Sequence, residues 1–362
     1  MLPVVAALFL GYLAYLFYEK WENDRAVRSF RHIIHVNGIR GKTSVCRLID
    51  AHLRGAGYRV FTKTTGSTPC YIDTRGQEHR SRRWGNANIG EQLSIIRRAH
   101  REKAEILILE CMAVQPELQR IAQEQLVHGD LNVITNVRYD HIFEMGDSLE
   151  EIAASLCGTI PENGVLFTAD EAFYPYFCKQ AEKQNTRVVL CAPSELAPGE
   201  NDAIACAVGA ELGIPETEYL KNRTLYQEDF GAQRCYPRER GRFYNLFSAN
   251  DPISTRMLLE NSSLDLSNMT LLYNNRADRP DRLLLFARHF FPCFPNSRIL
   301  VMGEARGLAL RLLKKHGFQA QSVSGWQKAL EAAGDSLVVG IGNIKGEAYE
   351  MVAWFEGGNH HE

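Results

Sequence analysis

Across 362 residues this sequence lacks an excess of either charge. Its 41 Lys and Arg stand against 43 Asp and Glu, a formal net charge of -2, so nothing favours bulk attraction to nucleic acid. It also lacks clustered cysteines. The nine (46, 70, 111, 157, 178, 191, 206, 235 and 293) show no CxxC and no zinc-type grouping, which reads as buried thiols in a reducing compartment. There is no internal repeat and no low-complexity tract. What remains is an ordinary globular composition, 45% hydrophobic and 23% charged, long enough for two domains with sizeable cores.

The one long apolar run is at the start. Leu2–Tyr18 (LPVVAALFLGYLAYLFY) carries no charge, and its aromatic residues gather toward Glu19-Lys20-Trp21. About 17 residues is the lower limit for a membrane-spanning helix, and Tyr18 and Trp21 suit the interface. No basic residue precedes the run and no small-x-small cleavage pattern follows it, which disfavours the main alternative, a secretory signal. A buried core helix is the other alternative. Lys20, Arg25, Arg28 and Arg31 follow the run, so a single span would leave the remaining chain in the cytoplasm.

Short apolar runs then alternate with helical patterns. Strands are expected at Ile33–Asn37, Arg59–Thr62, Ile106–Leu109, Leu131–Thr135, Val165–Thr168 and Val188–Cys191. Helices are expected at Ser44–Arg54, Gly90–Lys103 and Ser148–Cys157. Near-continuous apolar strands separated by helices predict a parallel sheet covered on both faces. A second series follows at Met269–Tyr273, Arg298–Met302 and Leu337–Ile341. The polar stretch Lys221–Arg242, with Gly231, Pro237 and Gly241, reads as linker or irregular structure. The predicted organisation is a membrane anchor and juxtamembrane segment at 1–30, a large α/β domain at 31–265 and a smaller α/β domain at 266–362.

The sharpest chemical signal is Gly38-Ile39-Arg40-Gly41-Lys42-Thr43-Ser44, between a strand and a helix. Glycines let backbone amides close around phosphate oxygens, and a helix N-terminus adds positive potential. A lysine offsets phosphate charge, and the Thr43 hydroxyl suits Mg2+. The usual first glycine of a P-loop is replaced by Val36, so this is the shorter GxxGKT form. Glu110 ends the run Ile106–Leu109, and Asp140-His141 follows Thr135-Asn136. Each lies where a parallel sheet presents ligand-binding residues, although a terminal Glu is also often a cap and a lone His structural.

In order along the chain come GIRGKTS, GNANIGEQ (Gly85–Gln92), ILECMAVQPE (Ile108–Glu117), ITNVRYDHIFEMG (Ile134–Gly146) and FSANDPIST (Phe247–Thr255). This ordered set resembles the Mur-ligase superfamily, and within it the CapB/PgsB-type ATP-dependent subunit of poly-γ-glutamate synthase. The likeness spans roughly residues 30–350. It implies a P-loop parallel sheet flanked by helices, plus a smaller C-terminal Rossmann-like α/β domain. It also implies ATP with two Mg2+ ions. Lys42 would grip the phosphates, Thr43 and Glu110 would hold one ion, and His141 would reach a second. Asn88 would lie beside the γ-phosphate, or simply cap the helix that follows. Asn250 and Asp251 would approach the adenine side. Arg276 and Asp278 would begin the C-terminal domain, with Arg279 or Arg282 read as a solvated face.

Two departures from that family's pattern stand out. No lysine follows Asp140-His141 until Lys179, where such ligases commonly carry a modified, metal-bridging lysine. No nucleotide-sugar domain fits into the thirty residues before the P-loop, which argues against a peptidoglycan precursor as the expected substrate. The resemblance therefore implies a ligase that joins glutamate through γ-linkages by way of an acyl phosphate, for a capsule or a released polymer. Its partners would be glutamate, the growing polymer and other membrane subunits, with homo-oligomerisation left open. Arg75, His79, Arg80, Arg82 and Arg83 form a basic run that could guide anionic substrate, or be an exposed loop with scattered charge. A folylpolyglutamate-synthase-like ligase, a non-catalytic ATP-binding exporter subunit and an unrelated P-loop phosphotransferase are the alternatives.

Overall fold

The computed structural model describes residues 2–66, 69–81, 88–228 and 231–357. They divide into two compact units, Met1–Val137 with Ala153–Gln227, and Arg138–Ile152 with Glu228–Glu362.

In the first unit the described residues build a sheet of eight strands. These are β1 (His32–Asn37), β2 (Val60–Thr64), β3 (Cys70–Ile72), β4 (Glu78–Arg80), β5 (Ile106–Glu110), β6 (Leu131–Ile134), β7 (Val165–Thr168) and β8 (Arg187–Leu190), in spatial order β4-β3-β2-β5-β1-β6-β7-β8. From β2 to β8 the neighbours are parallel, and β3 and β4 add an antiparallel edge. The predicted strands are there, shifted by a residue or two. The short edge pair is new, because three-residue strands carry too little pattern to read.

The parallel strands are apolar on both faces, as helix-covered strands must be. Ile34, Val36, Ile106 and Ile108 pack with Val45 and Ile49 of helix α2 (Lys42–Gly55). Ile33, Leu107 and Leu109 pack on the other face with Ile95, Ile96 and Ala99 of α3 (Glu91–Arg101) and Ala26 of α1 (Leu2–Val27). That alternation fixes which helix each strand residue can meet.

Helix α1 is long and apolar enough to cross a membrane. Its apolar part is open, with Leu8 70% and Phe17 73% exposed, whereas Asn23 and Ala26 are buried. The Asn23 side-chain amide donates to the Leu126 carbonyl at 2.9 Å, and Arg97 of α3 pairs with Glu19 and Glu22 at 3.3 and 3.0 Å. The expected juxtamembrane segment is thus the last turns of one helix, docked on the first unit.

The second unit holds a sheet of six strands among its described residues. These are β9 (Arg234–Pro237), β10 (Arg242–Asn245), β11 (Met269–Asn275), β12 (Arg298–Gly303), β13 (Ala320–Ser322) and β14 (Leu337–Ile341), in order β13-β12-β11-β14-β10-β9. All pairs are parallel except β9 with β10. Two sequence readings change here. Lys221–Arg242 is not simply linker, because it supplies β9 and the turn into β10, closed through Gly241 at φ +77°. The division at 265/266 also shifts, since Phe243 of β10 lies beside Val338 of β14 and belongs to the second sheet.

His35, in the middle of β1, is fully buried. Its Nδ1 lies 2.9 Å from Gln123 Oε1, an acceptor, so Nδ1 carries the hydrogen. Burial pushes its pKa down from 6.5 to about 4. An unfolded chain therefore takes up a proton below about pH 6.5 that the native chain refuses until about pH 4, and stability falls as pH drops through that window. The loss from this one group is about 3 kcal/mol. Urea midpoints measured between pH 7 and pH 4.5 should fall less steeply for His35→Gln than for the parent. An identical acid limb would contradict this.

Candidate active site

The glycine turn begins where β1 ends. β1 lies between β5, which leads toward one side of the sheet, and β6, on the other, so Gly38–Ser44 opens at a topological switch point on the carboxyl edge. Gly38 adopts φ +121°, and a Cβ there would sit 2.1 Å from Thr135 Oγ1. Gly41 adopts φ +81°, and a Cβ there would sit 2.6 Å from Asn201 Oδ1. Only glycine fits at these two positions. Helix α2 starts at Lys42, and no side chain among the described residues caps Gly41, which suits an N-terminus that meets an anion.

The turn is braced from β6. Asn136 accepts from Arg40 N at 3.0 Å through Oδ1 and donates to Arg40 O at 3.1 Å through Nδ2, while its carbonyl accepts from Ile39 N at 3.1 Å. Thr135 Oγ1 donates to Arg40 O at 2.5 Å. Below the turn, buried Asn37 donates to Gln119 Oε1 at 2.7 Å and Thr159 Oγ1 at 3.1 Å. The Lys42 ammonium donates to Gly38 O at 2.7 Å, over the turn where phosphate charge would need offsetting. Ile39, Arg40 and Ser44 keep the expected places in the turn. Asn136 is a contributor that sequence reading named only as the end of a strand.

Thr43 and Glu110 come together. Val36 of β1 lies beside Glu110 of β5 in register, so Glu110 points to the α2 side, and Thr43 Oγ1 donates to its Oε2 at 2.9 Å. The same oxygen accepts from Thr65 N at 2.6 Å, and Glu110 is only 5% exposed. One hydroxyl and one carboxylate fit Mg2+, which takes few protein oxygens and fills its octahedron with water and phosphate oxygens. Among the described residues, no group of three or more His, Cys, Asp or Glu is placed to hold a metal ion.

Asn88 lies three residues before α3, where its Oδ1 accepts from Gly90 N at 2.8 Å in a local turn and its own N–H faces Glu91 Oε1 at 3.4 Å. Gly85–Ala87 of the same motif, and Arg82 and Arg83 of the basic run, lie outside the described residues. Of that run, Arg75 and Arg80 are exposed, while His79 pairs with Asp73 at 2.9 Å.

The remaining expected residues belong to the second unit. Asp140 is buried and accepts from Arg279 and, at 3.2 Å, from Arg282. Arg279 also bonds Asp281 at 3.1 Å, and Arg282 bonds Asn250 Oδ1 at 3.1 Å. Arg279 and Arg282 are therefore not a solvated face. Burial opposes the Arg279 charge, and the neighbouring Asp140 and Asp281 outweigh it, raising its pKa. Arg279 Nη1 lies 3.3 Å from His141 Nε2; a guanidinium can only donate, so Nε2 is the acceptor. A cation at that nitrogen would displace the contact. Asp251 caps the helix Pro252–Glu260, accepting from Ser254 N at 2.8 Å, and Arg276 pairs with Asp278 at 2.6 Å.

A phosphate turn on one parallel sheet, a neighbouring carboxylate and a second Rossmann-like sheet define the Mur-type class of ATP-dependent amide ligases. Residues 36–208 match the Mur ligase middle domain, and residues 233–358 match the poly-gamma-glutamate synthase CapB C-terminal domain. The capsule biosynthesis protein CapB of Bacillus anthracis is 32% identical, over 93% of this chain and 80% of that protein. The PGA synthase CapB of Bacillus subtilis (strain 168) is 31% identical, over 92% of each. Among solved structures, E. coli FolC in complex with ADP is similar with a TM-score of 0.68 and 15% identity, over 95% of this chain and 96% of that one. A bifunctional folylpolyglutamate synthase/dihydrofolate synthase of Yersinia pestis, complexed with AMPPNP and Mn ion, has a TM-score of 0.67 and 16% identity, over 96% and 97%. This chain belongs to the CapB family of poly-γ-glutamate synthases.

Replacing Gly38 by Ala should weaken binding of a non-hydrolysable ATP analogue at least about tenfold, because the added Cβ must displace Thr135 or the turn itself. Titration calorimetry on a variant with unchanged far-UV circular dichroism checks this. Unaltered affinity would mean that the turn does not hold the nucleotide.

Proposed function

We propose that the first unit binds ATP with a divalent metal at Gly38–Ser44 and Glu110, and that the enzyme uses it to polymerise glutamate through γ-linkages. The observation that carries the site is the Thr43–Glu110 contact beside a turn in which two glycines have no room for a side chain. Solved relatives of the same fold, described with ADP or with AMPPNP and Mn, support nucleotide and metal together. The CapB relatives support capsule-type poly-γ-glutamate as the product.

A carboxylate is a poor electrophile, so the reaction needs activation. A γ-carboxylate oxygen attacks the terminal phosphorus of ATP, the bond to the β-phosphate oxygen breaks, and ADP leaves. The amine nitrogen of a glutamate then attacks the acyl phosphate carbonyl. The carbon–oxygen bond to phosphate breaks, phosphate departs, and the nitrogen loses a proton to give the amide. The Lys42 ammonium and the α2 N-terminus offset charge on the moving phosphoryl group. When bound, Mg2+ adds further charge neutralisation and orients the phosphate oxygens. Thr43 and Glu110 would hold one ion. A second ion would take His141, at the expense of its Arg279 contact.

Helix α1 supports a membrane-bound enzyme, with its two units in the cytoplasm beside ATP, working with other membrane subunits. ADP release by the full chain in membranes should rise on adding glutamate, and hydroxylamine should trap a glutamyl hydroxamate. Lys42→Ala should lower that turnover at least about a hundredfold, near 3 kcal/mol of lost transition-state stabilisation. Turnover that survives the substitution, or that ignores glutamate, would contradict the assignment.

A further inference from the structure

The way α1 docks gives the first unit a defined orientation to any membrane that α1 enters. Arg97 of α3 reaches Glu19 and Glu22, and one turn further along α3, His100 Nδ1 lies 2.6 Å from Ser29 Oγ. Rising numbers on α3 meet rising numbers on α1 and the turn just after it, so the two helices run in the same sense. Helix α3 ends just before β5, at the amino edge of the sheet, where Arg31 N donates to Glu105 O at 2.8 Å. Its Ile95, Ile96 and Ala99 lie along the sheet face. Both helices therefore run against the strands, from the carboxyl edge down to the amino edge. The exposed half of α1 must then leave the sheet on the carboxyl side.

The distances agree. From Glu19 to Val27 the helix climbs about 13 Å, while the six residues of β1 span about 20 Å. The uncharged run thus leaves the unit about one helical turn from the level of Asn37 and the phosphate turn. At that point Tyr18 and Trp21 are exposed, and the Arg25 guanidinium lies over the Trp21 ring at 5.6 Å. An aromatic pair with adjacent cations suits the headgroup layer.

We propose that the carboxyl edge of the first sheet, with Gly38–Ser44 and Glu110, faces the lipid surface from which α1 emerges. The amino edge, with the turn between β3 and β4, faces away. The glutamate-joining edge is then held against the bilayer by a docked helix rather than hung from a flexible tether, and product is made where an export path would start. This rests on α1 spanning a membrane.

Two probes separate the orientation from the anchor. The full-length chain is reconstituted in phosphatidylcholine–phosphatidylglycerol vesicles, with a fluorescent amino acid in place of either Ser81 or Gln77. Ser81 marks the carboxyl edge, its N–H donating to Pro69 O at 2.8 Å just before β3 begins. Gln77 is exposed in the β3–β4 turn, where Arg54 at the end of α2 donates to Thr74 O at 3.2 Å. Neither residue belongs to the binding machinery. A nitroxide on the lipid headgroup should quench the Ser81 probe several-fold more than the Gln77 probe. Equal or reversed quenching, with the chain floating with the vesicles, would overturn the orientation and leave the anchor standing. Failure to float would remove the anchor, and this inference with it.

Discussion

The arrangement depends first on the register between β1 and β5. Pairing Val36 with Glu110 sends the Glu110 carboxylate to the face covered by α2, where Thr43 meets it. Strand side chains alternate, so a slip of one residue would turn Glu110 toward α1 and α3 and leave a carboxylate facing Ile33, Ile95 and Ile96. Burial on both faces makes that slip costly. The same apolar pattern that builds the core thus positions the acidic group beside the phosphate turn, with no separate device needed.

The second unit solves a different problem. The segment Arg138–Ile152 lies between stretches of the first unit in sequence, yet it is fastened to the second unit. Asp140 takes Arg279 and Arg282, and the Tyr139 ring stacks on His289 with centroids 5.0 Å apart. Buried Arg282 and half-buried Arg279 against two buried carboxylates, Asp140 and Asp281, balance the charges of the cluster. Removing one member would strand an opposite charge in a dry site, which is far more damaging than losing a surface pair. His141 takes its orientation from this cluster.

The strands of the two sheets were legible wherever the chain is continuously apolar, because burial on both faces leaves a run that few other structures need. Val165–Thr168 and Leu337–Ile341 fall where the pattern places them. The glycine turn was legible because a strand that runs straight into a helix needs residues free to take positive φ, here Gly38 and Gly41. The β9–β10 hairpin was not, because an edge pair with one solvated side carries polar residues and resembles a loop. The roles of Asn136, Arg279 and Arg282 were equally hidden. A buried arginine differs from an exposed one only by a partner far away in sequence, here Asp140, and spacing along the chain says nothing about such partners.

The central claim is chemical: the terminal phosphoryl group of ATP passes to a carboxylate oxygen of the glutamate being joined. That oxygen must then leave with phosphate when the amide forms. Glutamate carrying oxygen-18 in its γ-carboxylate, or polymer ends labelled in the same way, tests this directly by mass spectrometry of the released phosphate. The account predicts one heavy oxygen in each phosphate formed. Phosphate that carries oxygen from water alone would show that ATP is hydrolysed without activating the substrate.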